Sequence, residues 1–186
     1  RAFDIAFGLI GIIVFWPLML VTAIMVKLTN RGPAIFKQER IGHREIPFTL
    51  YKFRTMKVRS EEGSMYTEKN DSRLTPIGKF LRKTRIDELP QFWNILKGDV
   101  SLVGPRAEWS ALVKGYEAKF PYYHFRHAVK PGITGWAQVN YSYGASDQDT
   151  LEKLYYDLYY VQRHSLMLDA IIIIKTIYTV VFGRGQ

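Results

Sequence analysis

Residues Ile5 to Val26 contain no charged side chain and are bounded by Asp4 and Lys27. That is membrane material, since a spanning helix needs about 20 apolar residues. Pro17 falls near the middle, directly after Trp16. It removes one backbone donor and crowds the preceding turn, so two geometries stay open. Either a kinked helix crosses the bilayer, or a helix-break-helix enters and leaves on one face. The segment alone favours crossing, because proline kinks are common in true spans. A cleaved signal peptide is disfavoured: no small-residue cleavage site follows, and Arg31-Gly32-Pro33 leads straight into a strand pattern. The chain opens on Arg1 rather than methionine, and we expect residues to precede it.

The rest reads as one water-exposed domain. With 186 residues and 47% hydrophobic content there is material for a single core, and no long flexible linker interrupts it. We therefore divide the chain into a membrane segment, 1–30, and a single folded domain, 31–186. Twenty-six Lys and Arg against 17 Asp and Glu give a net charge of +9, which suits anionic lipid, nucleic acid or phosphorylated substrates. The absence of cysteine excludes disulfides and thiolate metal sites. His43, His124, His127 and His164 show no zinc-ligand spacing.

Asp87-Glu88-Leu89-Pro90 sets two acids just after Lys79, Arg82, Lys83 and Arg85. Leu89, Phe92, Trp93 and Leu96 recur at the helical period, Pro90 is tolerated in a first turn and Gly98 follows the end. This predicts a helix with Asp87 and Glu88 at its N-terminal mouth, where the backbone favours anions. Asp87, Gln91 and Asn94 are then expected to share a polar stripe away from the buried face. On this segment alone, two acids at a helix start are most simply capping residues.

Upstream, Pro33 to Gln38 and Pro47 to Phe53 read as two strands joined across His43-Arg44-Glu45 as a hairpin. Lys52 and Arg54 are spaced to share a strand face, so both could reach one anion. Lys57 to Ser72 reads as a mobile polar loop, and Thr75-Pro76 opens a helix through Leu81. Gly104-Pro105-Arg106 is expected to place an arginine, suited to a phosphate, at the start of the next helix. That helix carries Trp109, Leu112, Val113, Tyr116 and Phe120 on one side. Val129 to Trp136 reads as a constrained turn, and Leu151 to Gln162 as an amphipathic helix. The apolar run Leu166 to Phe182, interrupted by Asp169 and Lys175, is expected to lie in the membrane interface or pack in the core. The fold class is α+β, predominantly helical, with a small β-hairpin and amphipathic interfacial helices.

The runs Lys52-Phe53-Arg54-Thr55-Met56, Asp87-Glu88-Leu89-Pro90-Gln91, Asn94, Gly98-Asp99, Ser101 to Arg106 and Lys130 to Asn140 closely resemble the bacterial sugar transferases. These are the polyprenyl-phosphate phosphoglycosyl transferases with a re-entrant membrane helix, and Asp157 to Gly185 is similar to the exopolysaccharide and O-antigen initiating members. The resemblance covers essentially the whole chain, in order. It implies transfer of a sugar 1-phosphate from a UDP-sugar to polyprenyl (undecaprenyl) phosphate with release of UMP, in two displacements. Carried over, Asp87 is the nucleophile that forms a covalent phosphosugar intermediate, and Glu88, with Asp87 beside it, holds Mg²⁺. Arg82 and Arg106 are expected near the phosphates, with Lys52 and Arg54 as further candidates. The resemblance also reverses the reading of the membrane segment. Pro17 becomes the break of a re-entrant helix, with the catalytic domain on the cytoplasmic face of the bacterial inner membrane.

Adjacent acids also argue against a glycosidase, whose carboxyls oppose each other at roughly 5 to 9 Å. Two departures stand out: Pro105-Arg106-Ala107 replaces the common Pro-Arg-Pro, and Trp16 stands where some members have serine. No nucleic-acid partner is expected, and self-association stays open. The rival reading is a non-catalytic basic membrane module that binds lipid or nucleic acid; it leaves the acids among the arginines unexplained.

Overall fold

The computed structural model describes residues 1–30, 32–57, 71–141, 144 and 146–181. Most of the polar stretch read as a loop, 58–70, lies outside the described residues, as does the end of the chain from 182. The architecture is α+β and mainly helical, with seven α-helices and two two-stranded sheets among the described residues.

Helix α1 runs Ala2–Thr29 and carries Pro17 inside it without an interruption of the helix. It is long and apolar enough to cross a membrane, spanning about 42 Å at the usual rise. Yet it lies along the rest of the molecule. Gly8, Gly11, Thr22 and Val26 form its buried stripe, while Ile10, Ile13 and Trp16 are exposed on the other side. At the N-terminal end Arg1 donates to the carbonyls of Ile95 (2.8 Å) and Leu96 (2.7 Å). Asp4 accepts from Ser101 Oγ at 2.7 Å and Leu102 N at 3.2 Å. At the other end Asn30 Nδ2 donates to the Met56 carbonyl at 2.7 Å, and Val26 packs with Phe53 and Leu81.

The middle of α1 rests on helix α3, Gln91–Lys97, through its glycines. A Cβ at Gly11 would lie 2.6 Å from the Phe92 ring, and one at Gly8 would lie 2.7 Å from Leu96 Cδ2. Gly11→Leu is therefore expected to cost about 1–3 kcal/mol by overpacking, read as a lower Tm. Gly115, inside helix α4 (Ser110–Lys119), has nothing within 4 Å of its would-be Cβ. There Gly115→Ala is expected to stabilise by about 0.5–1 kcal/mol. Equal effects at the two positions would contradict close α1–α3 packing.

Strands β1 (Ile35–Ile41) and β2 (Pro47–Phe53) form the antiparallel hairpin foreseen, with β1 extending past Gln38. The register pairs Phe36 with Lys52, Gln38 with Leu50 and Arg40 with Phe48, so these six side chains share one face. Helix α2 (Pro76–Thr84) is capped by Thr75, whose hydroxyl accepts from Gly78 N. The second sheet was not foreseen: Ser101–Val103 (β3) pairs in parallel with Gly132–Thr134 (β4), inside the segment read as a turn. Helices α5 (Trp136–Asn140), α6 (Asp147–Arg163) and α7 (Leu166–Val181) complete the chain. Leu168 and Ile172 of α7 join the core with Val103 and Tyr160, while Met167, Ile174 and Ile177 are exposed. The run read as core or interface thus has one face in the core and one apolar face outside.

Candidate active site

Between α2 and α3 the chain makes a separate 3-10 turn, Ile86–Glu88, so the two acids are not on the first turn of α3 as the periodicity suggested. Arg85 ends α2 in the left-handed region (φ 59) and redirects the chain. Leu89 N donates to the Ile86 carbonyl, and Pro90, which lacks an N–H, caps α3. Helix α3 has seven residues. Positive charge at this turn therefore comes from full side-chain charges rather than from a long helix.

The expected polar stripe is real but faces inward. Asp87, Gln91 and Asn94 are all buried, and Trp93, expected in the apolar stripe, is 56% exposed. Asn94 explains the inversion: its Oδ1 accepts from Tyr51 N (3.1 Å), and its Nδ2 donates to Thr49 O (2.7 Å) and Asp99 (2.9 Å). A side-chain amide satisfied on both ends can be buried at little cost. It fastens α3 to β2.

That contact brings Lys52 of β2 to the acids. Lys52 Nζ lies 3.1 Å from Glu88 Oε1, Arg106 Nη2 lies 3.5 Å from it and Arg85 Nη1 3.8 Å. Three cations from three segments converge on one carboxylate oxygen. Arg106 comes not from a helix start, as expected, but from the stretch after β3, bridged to Gly132; the next helix begins at Ser110. Arg82 donates through Nε to Thr55 Oγ1 at 3.0 Å and acts on the Asp87 charge. Arg54 is held elsewhere: its Nε donates to the Pro33 carbonyl and its guanidinium lies over the Phe36 ring. Of the proposed cations, Lys52, Arg82 and Arg106 gather at the acids and Arg54 does not.

The adjacent acids are driven apart electrostatically. Burial, then the Glu88 charge, raises the Asp87 pKa against the pull of Lys52, Arg82 and Arg85. For Glu88 burial also pushes upward, but Lys52, Arg106 and Arg85 outweigh it and hold the carboxyl at about 2. Burial lowers the Lys52 pKa, partly offset by Glu88. Paired acids with opposed shifts divide the chemistry between them. Asp87 is the more basic carboxylate, and Glu88 stays ionised. Among the described residues the buried Asp87 Oδ1 has no hydrogen-bond partner, as a group awaiting a ligand would be.

Among the described residues no cluster of three or more His, Cys, Asp or Glu could enclose a metal. Mg²⁺ does not require one, because it is commonly held by one or two carboxylates, substrate phosphates and water. The unpartnered Asp87 oxygen next to the ionised Glu88 fits such a site.

Two parts of the site were missed in the sequence. Arg40, on the Lys52 face of the hairpin, lines with Lys52, Gln91 and Arg106 a small cavity behind the acids. It donates to Ala107 O at 3.0 Å and to Gln38 Oε1 at 2.5 Å, and burial lowers its pKa to about 10. Extending the strand alternation two residues past Gln38 would have found it. The second part is a buried pair. Arg126 Nη2 reaches Asp157 Oδ2 at 2.6 Å and also donates to the Arg106 carbonyl at 2.8 Å, which positions the segment that delivers Arg106. Residues so far apart in sequence leave no local signal.

The family described as Bacterial sugar transferase matches residues 1–183. The chain is 47% identical, over its full length, to a UDP-N-acetylgalactosamine-undecaprenyl-phosphate N-acetylgalactosaminephosphotransferase of Aeromonas hydrophila, covering 44% of that protein. It is 42% identical over 96% of its length to the UDP-glucose:undecaprenyl-phosphate glucose-1-phosphate transferase of Escherichia coli, covering 39% of that protein. It is 41% identical over 95% of its length to an exopolysaccharide production protein of Rhizobium leguminosarum, covering 92% of it. The chain thus spans less than half of the first two relatives and nearly all of the third. A match running from the apolar helix through the acid turn to α7 leaves no element of this site outside it, and the chain belongs to the bacterial sugar transferase family.

Proposed function

We propose that this chain transfers a sugar 1-phosphate from a UDP-sugar to polyprenyl phosphate, releasing UMP, through a covalent intermediate on Asp87. The observation that carries the reading is a buried carboxylate with an unpartnered oxygen, Asp87, beside an acid that gathers three cations. The names of the relatives, which act on UDP-sugars and undecaprenyl phosphate, support the substrate class.

In the first displacement an Asp87 carboxylate oxygen attacks the sugar-bearing phosphorus. An aspartyl-phosphate bond forms, and the bond to the bridging oxygen breaks, with the electron pair leaving on UMP. In the second, an oxygen of polyprenyl phosphate attacks the same phosphorus and frees the Asp87 carboxylate. A carboxylate is a weak nucleophile and both partners are anions, so charge neutralisation governs the barrier. Lys52, Arg82, Arg85 and Arg106 supply it, the arginines offering paired donors to phosphate oxygens. Mg²⁺, held by Glu88 with Asp87, would add charge neutralisation on the diphosphate when bound. The raised basicity of Asp87 strengthens the nucleophile.

The proposed location is the cytoplasmic face of the inner membrane, as the first step of bacterial surface glycan assembly. The packing of α1 supports same-side attachment, because Arg1 at one end and Asn30 at the other hydrogen-bond to one globular body. A crossing helix would carry its far end about 30 Å away. Tags placed before Arg1 and after Lys27 are accordingly expected to be equally protected from an external reagent in intact cells. Labelling of the N-terminal tag alone would show a crossing helix.

The deciding experiment is UMP release from a panel of UDP-sugars with polyprenyl phosphate and Mg²⁺. We expect release with at least one sugar, dependent on the acceptor and abolished by chelation. No release from any sugar, with binding to vesicles or nucleic acid intact, would favour the non-catalytic module.

A further inference from the structure

Between α5 and α7 lies an open cavity of about 490 Å³ whose lining includes Asn140, Tyr141, Ile174, Lys175 and Tyr178. None of these residues belongs to the Glu88 cluster. Gln138 in its wall donates to the Ile133 carbonyl of β4, and the cavity shares no lining residue with the small one lined by Lys52, Arg106 and Gly132.

We infer that this cavity seats the headgroup of an anionic bilayer phospholipid, with Lys175 on its phosphate and its acyl chains along the exposed face of α7. Lys175 is the cation of α7, whose acid, Asp169, accepts from Tyr160 at 2.8 Å. Its ammonium lies 2.6 Å from Asn140 Oδ1 and 4.7 Å from the centre of the Trp136 ring. No carboxylate lies within ion-pair distance of it among the described residues. A neutral amide and an aromatic face orient the ammonium but leave its charge uncompensated. A surface built only for water would not flank that charge with Ile174 and Ile177, which are 67% and 58% exposed. The combination of one fixed cation, an aromatic wall and a contiguous apolar strip matches an amphipath with an anionic head. A free phosphate would use only the first of these. Under the proposed chemistry the acceptor phosphate must instead meet Asp87, which does not line this cavity.

The inference presumes the membrane attachment proposed above but not the chemistry, and lipid binding, its main readout, needs no turnover. Dioctanoyl phosphatidylglycerol and dioctanoyl phosphatidylcholine are titrated into the detergent-solubilised chain, with tryptophan fluorescence as the readout and a Trp136→Phe variant to assign the signal. We expect a saturable change with the glycerol lipid that is absent with the choline lipid and absent in Trp136→Phe. Lys175→Met should weaken it roughly fivefold or more, Lys175→Arg should retain it, and Lys114→Met, which removes an exposed charge on α4, should leave it unchanged. Asp87→Asn should bind as the unmodified chain does, which separates this site from the reaction. Undiminished binding by Lys175→Met, or equal weakening by Lys114→Met, would overturn the inference. So would a raised KM for polyprenyl phosphate in Lys175→Met with lipid binding intact, since the cavity would then belong to the acceptor.

Discussion

Asp87→Asn is expected to lose roughly three orders of magnitude or more in turnover while melting at the same or a higher temperature. The activity half follows from the proposed chemistry, because an amide nitrogen or oxygen cannot form the aspartyl-phosphate bond. The stability half follows from burial. The folded-state pKa of Asp87 is raised, so ionising it costs the fold more than it costs the unfolded chain. At pH values above that raised pKa the carboxylate is therefore destabilising, and a neutral isostere removes the cost. Mass spectrometry of the chain quenched with UDP-sugar should show the phosphosugar on the peptide containing Asp87. Appreciable turnover by Asp87→Asn, or an adduct on another residue, would sink the assignment.

Glu88→Gln has the opposite sign. Removing this charge leaves Lys52, Arg85 and Arg106 facing one another across a nearly buried position, where Glu88 is 11% exposed. Breaking such a cluster from one side typically costs about 3–5 kcal/mol, so a large drop in Tm is expected at neutral pH. The pH dependence identifies the cause. The Glu88 pKa falls from an ordinary 4.5 to about 2 in the fold. Its stabilisation is therefore fully present above 4.5 and is lost as pH falls from there towards 2. The gap in Tm between the two proteins should close over that interval. A gap that stays constant down to pH 2 would mean that Glu88 contributes packing rather than charge.

What could be read from the sequence was whatever is written locally. The absence of charge from Ile5 to Val26 announced α1, and alternation announced the hairpin. Thr75-Pro76 marked the start of α2 through a cap whose chemistry is confined to four residues. What was misread depends on distant partners. Strands β3 and β4 have three residues each and pair in parallel across about thirty others, too short for alternation to register. Trp93 was assigned to the core by its apolarity and Asn94 to the surface by its polarity. The structure reverses both, because Asn94 finds all its partners on β2 and Asp99. Asp87, Glu88, Arg82 and Arg106 could be singled out by residue type and by the family resemblance, and the structure brings them together. Arg126 and Asp157 could not, because their importance lies in whom they meet.

Under the proposed function, the seating of α1 bears on how the two substrates would find each other. Helices α2 and α3, which flank the acid turn, both pack on α1, through the Leu81 cluster and through Phe92. With α1 as the proposed anchor, the altitude of Asp87 above the lipid surface would be set by side-chain contact rather than by the length of a tether. A lipid-borne phosphate diffuses in a plane, and a nucleophile held at the height of that plane turns a search in three dimensions into one in two. Only the nucleotide sugar then has to arrive from solution.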